Sequence, residues 1–127
     1  MNVEQVREYC LSLPLATEDF PFDEDTLAFR VLGRIFAMID LSHTQWFVLK
    51  CQPDYAVFLR DRHPEIRPAW HMNKKHWNQV DLFGTLQDEQ IEHLICHSYA
   101  KVVEKFLRRE KELHPEVKNI CPSFPSF

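Results

Sequence analysis

Nine consecutive residues, Trp70-His71-Met72-Asn73-Lys74-Lys75-His76-Trp77-Asn78, hold two indoles, two imidazoles, two ammonium groups and two carboxamides without a carboxylate. That is a chemistry of gripping. The Lys74-Lys75 pair offers positive charge to phosphates, an Asn side chain carries a donor and an acceptor side by side, and an indole gives a flat face for a base or another ring. Arg67 lies just upstream with charge of the same sign. The candidate binding residues are therefore Arg67, Trp70, His71, Asn73, Lys74, Lys75, His76, Trp77 and Asn78. A second reading makes the same stretch a hairpin whose Trp rings complete the core rim, whose Asn73 holds the turn and whose lysines are merely solvated.

No catalytic constellation accompanies this segment. Cys51 has no His near it in sequence, and no Gly-x-Ser-x-Gly occurs. The two glycines, Gly33 and Gly84, are too few for any glycine-rich phosphate loop. His93, Cys96 and His97 fall at i, i+3 and i+4, a spacing that can gather two imidazoles and a thiol on one helix, but a fourth ligand is not identifiable. Both histidines are expected to flank the buried face. The run Glu18 to Asp25 lacks the Asp-x-Asp-x-Asp-Gly spacing of a calcium loop, so it reads as a solvated turn or as a partner for the basic segment. No catalytic residue, metal or cofactor is expected.

The elements that must position these residues follow from period and punctuation. Val3, Val6, Cys10 and Leu13 make a helical stripe that Pro14 stops. Leu15 to Asp25 reads as an acidic loop. Leu27-Phe29-Val31 then alternates with period two, Gly33-Arg34 turns, Ile35 to Leu41 is apolar on both faces, and Trp46 to Cys51 completes three strands. Pro53 starts a helix to about His63 with Tyr55, Phe58 and Leu59 on one face. Two short strands, Ile66 to Trp70 and Trp77 to Leu82, are joined through the basic segment as an antiparallel pair. If Val80 and Leu82 point inward, Trp77, Gln79 and Asp81 point outward. Thr85 caps a last helix buried along Ile91, Leu94, Ile95, Ser98, Val102 and Phe106, and the charged run Arg108 to Lys111 ends it as a solvated face. The expected order is α-β(3)-α-β(2)-α, an α+β fold of one antiparallel sheet with helices packed against it.

At 127 residues, with 45% hydrophobic and 27% charged side chains, the chain is one ordinary globular domain. The domain is read as 1–113, followed by a Pro-containing tail over 114–127, where Phe124 and Phe127 are possible anchors. The net charge of -4 is unevenly spread: residues 1–25 carry seven carboxylates against one arginine, whereas residues 60–76 carry five Arg and Lys against two carboxylates. No apolar run approaches the roughly 20 residues that span a bilayer, so a cytoplasmic protein without membrane contact, and a monomer, are expected. The four scattered cysteines suggest thiols, with Cys10 and Cys96 reduced and buried beside apolar helical stripes.

Five marks in order carry a resemblance: Leu11-Ser12-Leu13-Pro14, Glu18-Asp19-Phe20-Pro21-Phe22, Leu49-Lys50-Cys51, the His71 to Asn78 run with Asp81-Leu82, and His97-Ser98-Tyr99. Over about residues 3–107 the chain resembles the bacterial MmcQ/YjbR-like proteins. The resemblance implies a two-layer α+β fold of the secretion-chaperone-like kind, often compared with the frataxin-like fold. Proteins of that family are commonly described as DNA-binding, by analogy with a double-wing shape. DNA is thus the first expected partner; the alternative is an acidic peptide or small ligand held by the same surface in a non-catalytic interaction module.

Overall fold

Asn2 opens the first helix by accepting the Gln5 N–H at 2.8 Å, and the Gln5 side chain returns the bond to the Asn2 N–H at 2.9 Å. The computed structural model describes residues 1–69, 72–118 and 120. Its elements are α1 (Val3–Ser12), β1 (Ala16–Asp19), β2 (Thr26–Val31), β3 (Arg34–Asp40), β4 (Trp46–Lys50), α2 (Pro53–Arg62), β5 (Ile66–Pro68), β6 (Trp77–Asp81), α3 (Asp88–Val103) and α4 (Arg108–Leu113), with a 3-10 turn at Pro115–Val117. The strands form one antiparallel sheet in the order β1-β2-β3-β4-β6-β5. This is the expected α+β class.

Period two decides which side chains meet the helices. Leu27, Phe29, Ile39, Phe47, Leu49, Ile66 and Val80 face one way and join Val6 and Cys10 of α1, Leu59 of α2, and Ile91, Ile95 and Tyr99 of α3 in a single core. The register also defines the other face, on which Asp19, Ala28, Met38, Val48, Gln79 and Arg67 form one row across all six strands. The β2–β3 hairpin turns through Leu32 and Gly33 at φ of 47° and 83°, the left-handed pair that a two-residue hairpin turn demands.

Polar groups pin α3 to the sheet. The buried Ser98 hydroxyl accepts the Lys50 N–H at 2.8 Å and donates to the Phe36 carbonyl at 2.5 Å, tying the helix to β4 and β3 at once. Tyr99 donates to the Pro14 carbonyl at 2.6 Å, and its ring meets Phe36 edge-on. Cys10, Cys51 and Cys96 are all buried. No helix among the described residues is long and apolar enough to cross a membrane.

Several expectations need correction. Four strands, not three, precede α2, because Ala16 to Asp19 pairs with β2 as an edge strand inside the stretch read as a loop. Its acids are held by distant cations: Glu18 by Arg7 of α1 at 2.5 to 3.1 Å, and Asp19 by Arg30 of β2 at 2.9 Å. Thr85 does not cap α3. Its hydroxyl donates to Glu65 at 2.6 Å, while Gln87 precedes the helix and its N–H is taken by the Gln90 side chain at 2.8 Å. α3 ends at Val103, and the charged run begins a separate helix, α4, in which Glu110 accepts the Leu107 N–H at 3.0 Å and grips Arg34 of β3 through two bonds of 3.1 Å. Phe106 is buried beyond the helix end, with the Arg34 guanidinium 4.5 Å above its ring. On α2 the core face is Ala56 and Leu59; Phe58 is 39% exposed and lies under Arg62. His93 and His97 are buried, because Tyr55 of α2 packs over them. Val117 is also buried, so the chain just past residue 113 joins the core. Phe124 and Phe127 lie outside the described residues.

Candidate nucleic-acid interface

In the connection between β5 and β6, residues 73–77 make a turn. Ala69 is buried and bonds to the Trp77 carbonyl at 3.1 Å, while the Asn73 carbonyl accepts the N–H groups of both His76 and Trp77 at 3.1 and 3.0 Å. The Asn73 side-chain oxygen accepts the Lys75 N–H at 3.0 Å. This local bonding bends the chain and leaves Asn73, Lys74 and Lys75 exposed at the tip. The side-chain carbonyl of Asn73 therefore holds the turn, and the two ammonium groups are presented outward. His76 and Trp77 are half-buried. Trp70 and His71 lie outside the described residues.

Beneath the turn stands a residue whose role the sequence conceals. Arg60 of α2 donates from Nε to the Asn78 Oδ1 at 2.6 Å and from Nη2 to the carbonyls of Lys74 and, at 3.4 Å, Trp77. One guanidinium thus braces the loop tip, the first residue of β6 and the buried Asn78. Asn78 is 3% exposed and belongs to the inward row, so it does not share a surface with Lys74 and Lys75. A rigid planar fork is suited to holding three acceptors at once.

Trp77 and Gln79 take the outward positions of β6. Trp77 is paired with Lys50 of β4, and Gln79 with Arg67 of β5. Arg67 is exposed, and its guanidinium carbon lies 4.4 Å above the ring of Trp46, the outward residue at the start of β4. Trp46 was not among the sequence candidates, although its period-two relation to Val48 and Lys50 placed it on this face.

The sheet order separates the charges. The acidic strand β1 and the basic β5–β6 hairpin occupy opposite edges, four to five strand spacings apart. At about 4.8 Å per spacing that is roughly 19 to 24 Å, beyond a Debye length of about 8 Å. Three acids of the first stretch are engaged within it or by neighbouring elements, Glu18 and Asp19 as above and Asp23 by the N–H groups of Asp25 and Thr26 at 2.9 and 2.6 Å. Among the described residues no carboxylate comes within ion-pairing distance of Lys74, Lys75 or Arg67. The alternative in which the acidic stretch neutralises the basic one is thereby corrected.

The other reactive side chains are quenched by burial. Burial pushes the Cys51 thiol up to about 12, only partly opposed by the charges of Arg60 and Lys101, so it is no thiolate at neutral pH. His97 is lowered to about 4, first by burial and then by the charges of Lys101 and His93, and its Nε2 accepts the Gln52 N–H at 3.1 Å. It is a neutral acceptor fixing the start of α2. Among the described residues no group of three or more His, Cys, Asp and Glu side chains is arranged to hold a metal.

A single six-stranded antiparallel sheet with helices packed against it, and a basic hairpin at one edge, defines the class as an α+β domain. Residues 11–101 match the family model described as YjbR, and the chain belongs to that family. It is 32% identical over 114 residues to the uncharacterised protein YjbR of Escherichia coli (strain K12), an alignment covering 89% of this chain and 97% of that one. It is 28% identical to the uncharacterised protein YbdF of Escherichia coli O157:H7, over 86% of this chain and 90% of the relative. Among solved structures, protein DR2400 of Deinococcus radiodurans, described with the domain DUF419, superposes with a TM-score of 0.85 at 34% identity, covering 99% of this chain and 95% of that one. A crystal structure of a Pseudomonas syringae protein gives a TM-score of 0.65 at 31% identity, over 77% and 96%.

Proposed function

We propose that this protein binds nucleic acid at the basic edge of its sheet. Lys74, Lys75 and Arg67 neutralise phosphates, while the half-buried indole of Trp77 offers a stacking surface beside them. The observation that carries the reading is that none of these three cations is ion-paired with a described carboxylate, and that the two lysines stand on a turn braced from below by Arg60. Solvated lysines on a slack loop would need no such brace. The proposal favours single strands or distorted duplexes, because a stacking face is sequence-tolerant and engages unstacked bases. A cytoplasmic location belongs to the same proposal, and the buried thiols Cys10, Cys51 and Cys96 suit a reducing compartment.

The test is fluorescence anisotropy at low salt with labelled single-stranded and duplex oligonucleotides, and a labelled acidic peptide alongside. Trp77→Ala should weaken single-strand binding by roughly 1 to 3 kcal/mol and duplex binding by less, with its circular dichroism unchanged. Binding of the peptide but of neither nucleic acid would transfer the same surface to a protein partner and overturn the proposal.

A further inference from the structure

A second concentration of positive charge lies at the end of the sheet, where the C-terminal part of α3 passes the last residue of β4 and the start of α2. There a cleft of about 130 Å³ is lined by Lys50, His76, Lys101, Glu104 and Lys105 together with residues 51–53. Three lysines face it with one carboxylate. That carboxylate is already engaged, since Lys101 Nζ contacts Glu104 at 2.9 and 3.0 Å. A fourth lysine, Lys111, reaches the Glu104 carbonyl at 3.5 Å. The cleft far exceeds the roughly 10 to 15 Å³ a single water needs.

Lys50 bears the cost of this arrangement. Its ammonium is lowered first by burial and then by the charge of Lys105, with Glu104 offsetting and Lys101 adding to the effect. Like charges around a partly dehydrated cleft repel, and a fold gains nothing from the repulsion unless an anion enters. The donors present are ammonium groups, with the His76 imidazole at the rim. Such a set suits a compact tetrahedral dianion, which several point charges can surround, better than a planar carboxylate, for which a forked guanidinium is the usual partner.

We propose that the cleft bounded by Lys50, His76, Lys101 and Lys105 binds a phosphoryl dianion, either inorganic phosphate or the phosphate of a phosphomonoester. The cleft shares His76 with the Lys74-Lys75 turn, but its ammonium groups, those of Lys50, Lys101 and Lys105, come from β4 and from the end of α3 and the residues just past it.

The experiment is titration of the full chain with inorganic phosphate and, separately, with glycerol 1-phosphate, followed by calorimetry and by amide chemical shifts. One saturable site is expected, with the largest shifts at Cys51, His76 and Lys105. Tighter binding of the ester assigns the site to a phosphomonoester, and equal or weaker binding assigns it to free phosphate. Lys105→Ala should weaken binding about tenfold or more, as expected for loss of a charge-assisted contact. Glu104→Gln should strengthen it, because the competing carboxylate is gone and Lys101 is released. Arg7→Gln, an equal change of net charge on α1 beside the β1 edge of the sheet, should do neither. Non-saturable binding, shifts centred away from the cleft, or equal responses of Lys105→Ala and Arg7→Gln would overturn the proposal. Should Lys105→Ala fold poorly, the opposite sign expected of Glu104→Gln still decides.

Discussion

At the scale of single residues, Arg60 has the greatest leverage on the candidate interface without belonging to its surface. Its guanidinium satisfies the Asn78 side-chain oxygen and the carbonyls of Lys74 and Trp77. Arg60→Ala should destabilise the protein by about 1 to 3 kcal/mol, the usual cost of orphaning a buried acceptor, seen as a lower urea midpoint. It should also weaken nucleic-acid binding while leaving Lys74 and Lys75 in place. Normal stability together with normal binding would show that the turn holds itself. The inward position of Asn78 was legible in the sequence: the alternation that sends Trp77 outward sends Asn78 inward with Val80. The attraction of a carboxamide beside a Lys pair obscured it. Arg60 was not legible as a brace, because its acceptors lie 14 to 18 residues away and two of them are backbone carbonyls. His97 supplies a second residue-scale prediction. Its folded value of about 4 lies below the usual 6.5 or so, hence the unfolded chain binds more protons between those values. The stabilisation is full above about pH 6.5 and is lost as pH falls toward 4, up to roughly 3 kcal/mol in all. Urea unfolding from pH 7.5 to 4.5 should show this loss, and His97→Gln should flatten it; an unchanged pH dependence in the variant would contradict the assignment.

The elements show where local pattern is enough and where it is not. α1, the β2–β3–β4 meander, α2 and the outward alternation of β6 follow from period and from Pro and Gly punctuation, and so does the antiparallel pairing of β5 with β6. β1 and α4 escape such reading for one shared reason. Glu18, Asp19 and Glu110 look like solvated charge until Arg7, Arg30 and Arg34 are brought to them by the fold. The same is true of Ser98, which reads as a neutral position on a helical stripe and acts as a bridge. Ser98→Ala would leave the Lys50 N–H and the Phe36 carbonyl buried without that partner, at a cost of about 1 to 3 kcal/mol in denaturant unfolding. The Lys50 amide should also exchange faster with deuterium. An unaffected Lys50 amide in a destabilised variant would mean that the serine acts through packing rather than through its bonds.

For the molecule as a whole, net charge was the least informative quantity in the sequence and its placement the most. A total of -4 argues against a polyanion as partner, yet the strand order carries the acids to one edge and the basic hairpin to the other. The cross-strand row makes this plain, with Asp19 at one end, Arg67 at the other and Ala28, Met38, Val48 and Gln79 between. Such a molecule should orient a polyanion at its basic edge and repel it elsewhere, which makes binding weak in total charge and specific in position. The salt dependence of binding measures that edge directly. Binding to a single-stranded oligonucleotide, followed by anisotropy from about 25 to 200 mM salt, should give a log-log slope of roughly -2, as three phosphate contacts imply at about -0.7 each. The Lys74→Ala, Lys75→Ala double substitution should bring that slope to about -0.7 with the fold intact. A wild-type protein that binds no nucleic acid at the lowest salt, or a slope the double substitution leaves unchanged, would contradict the account.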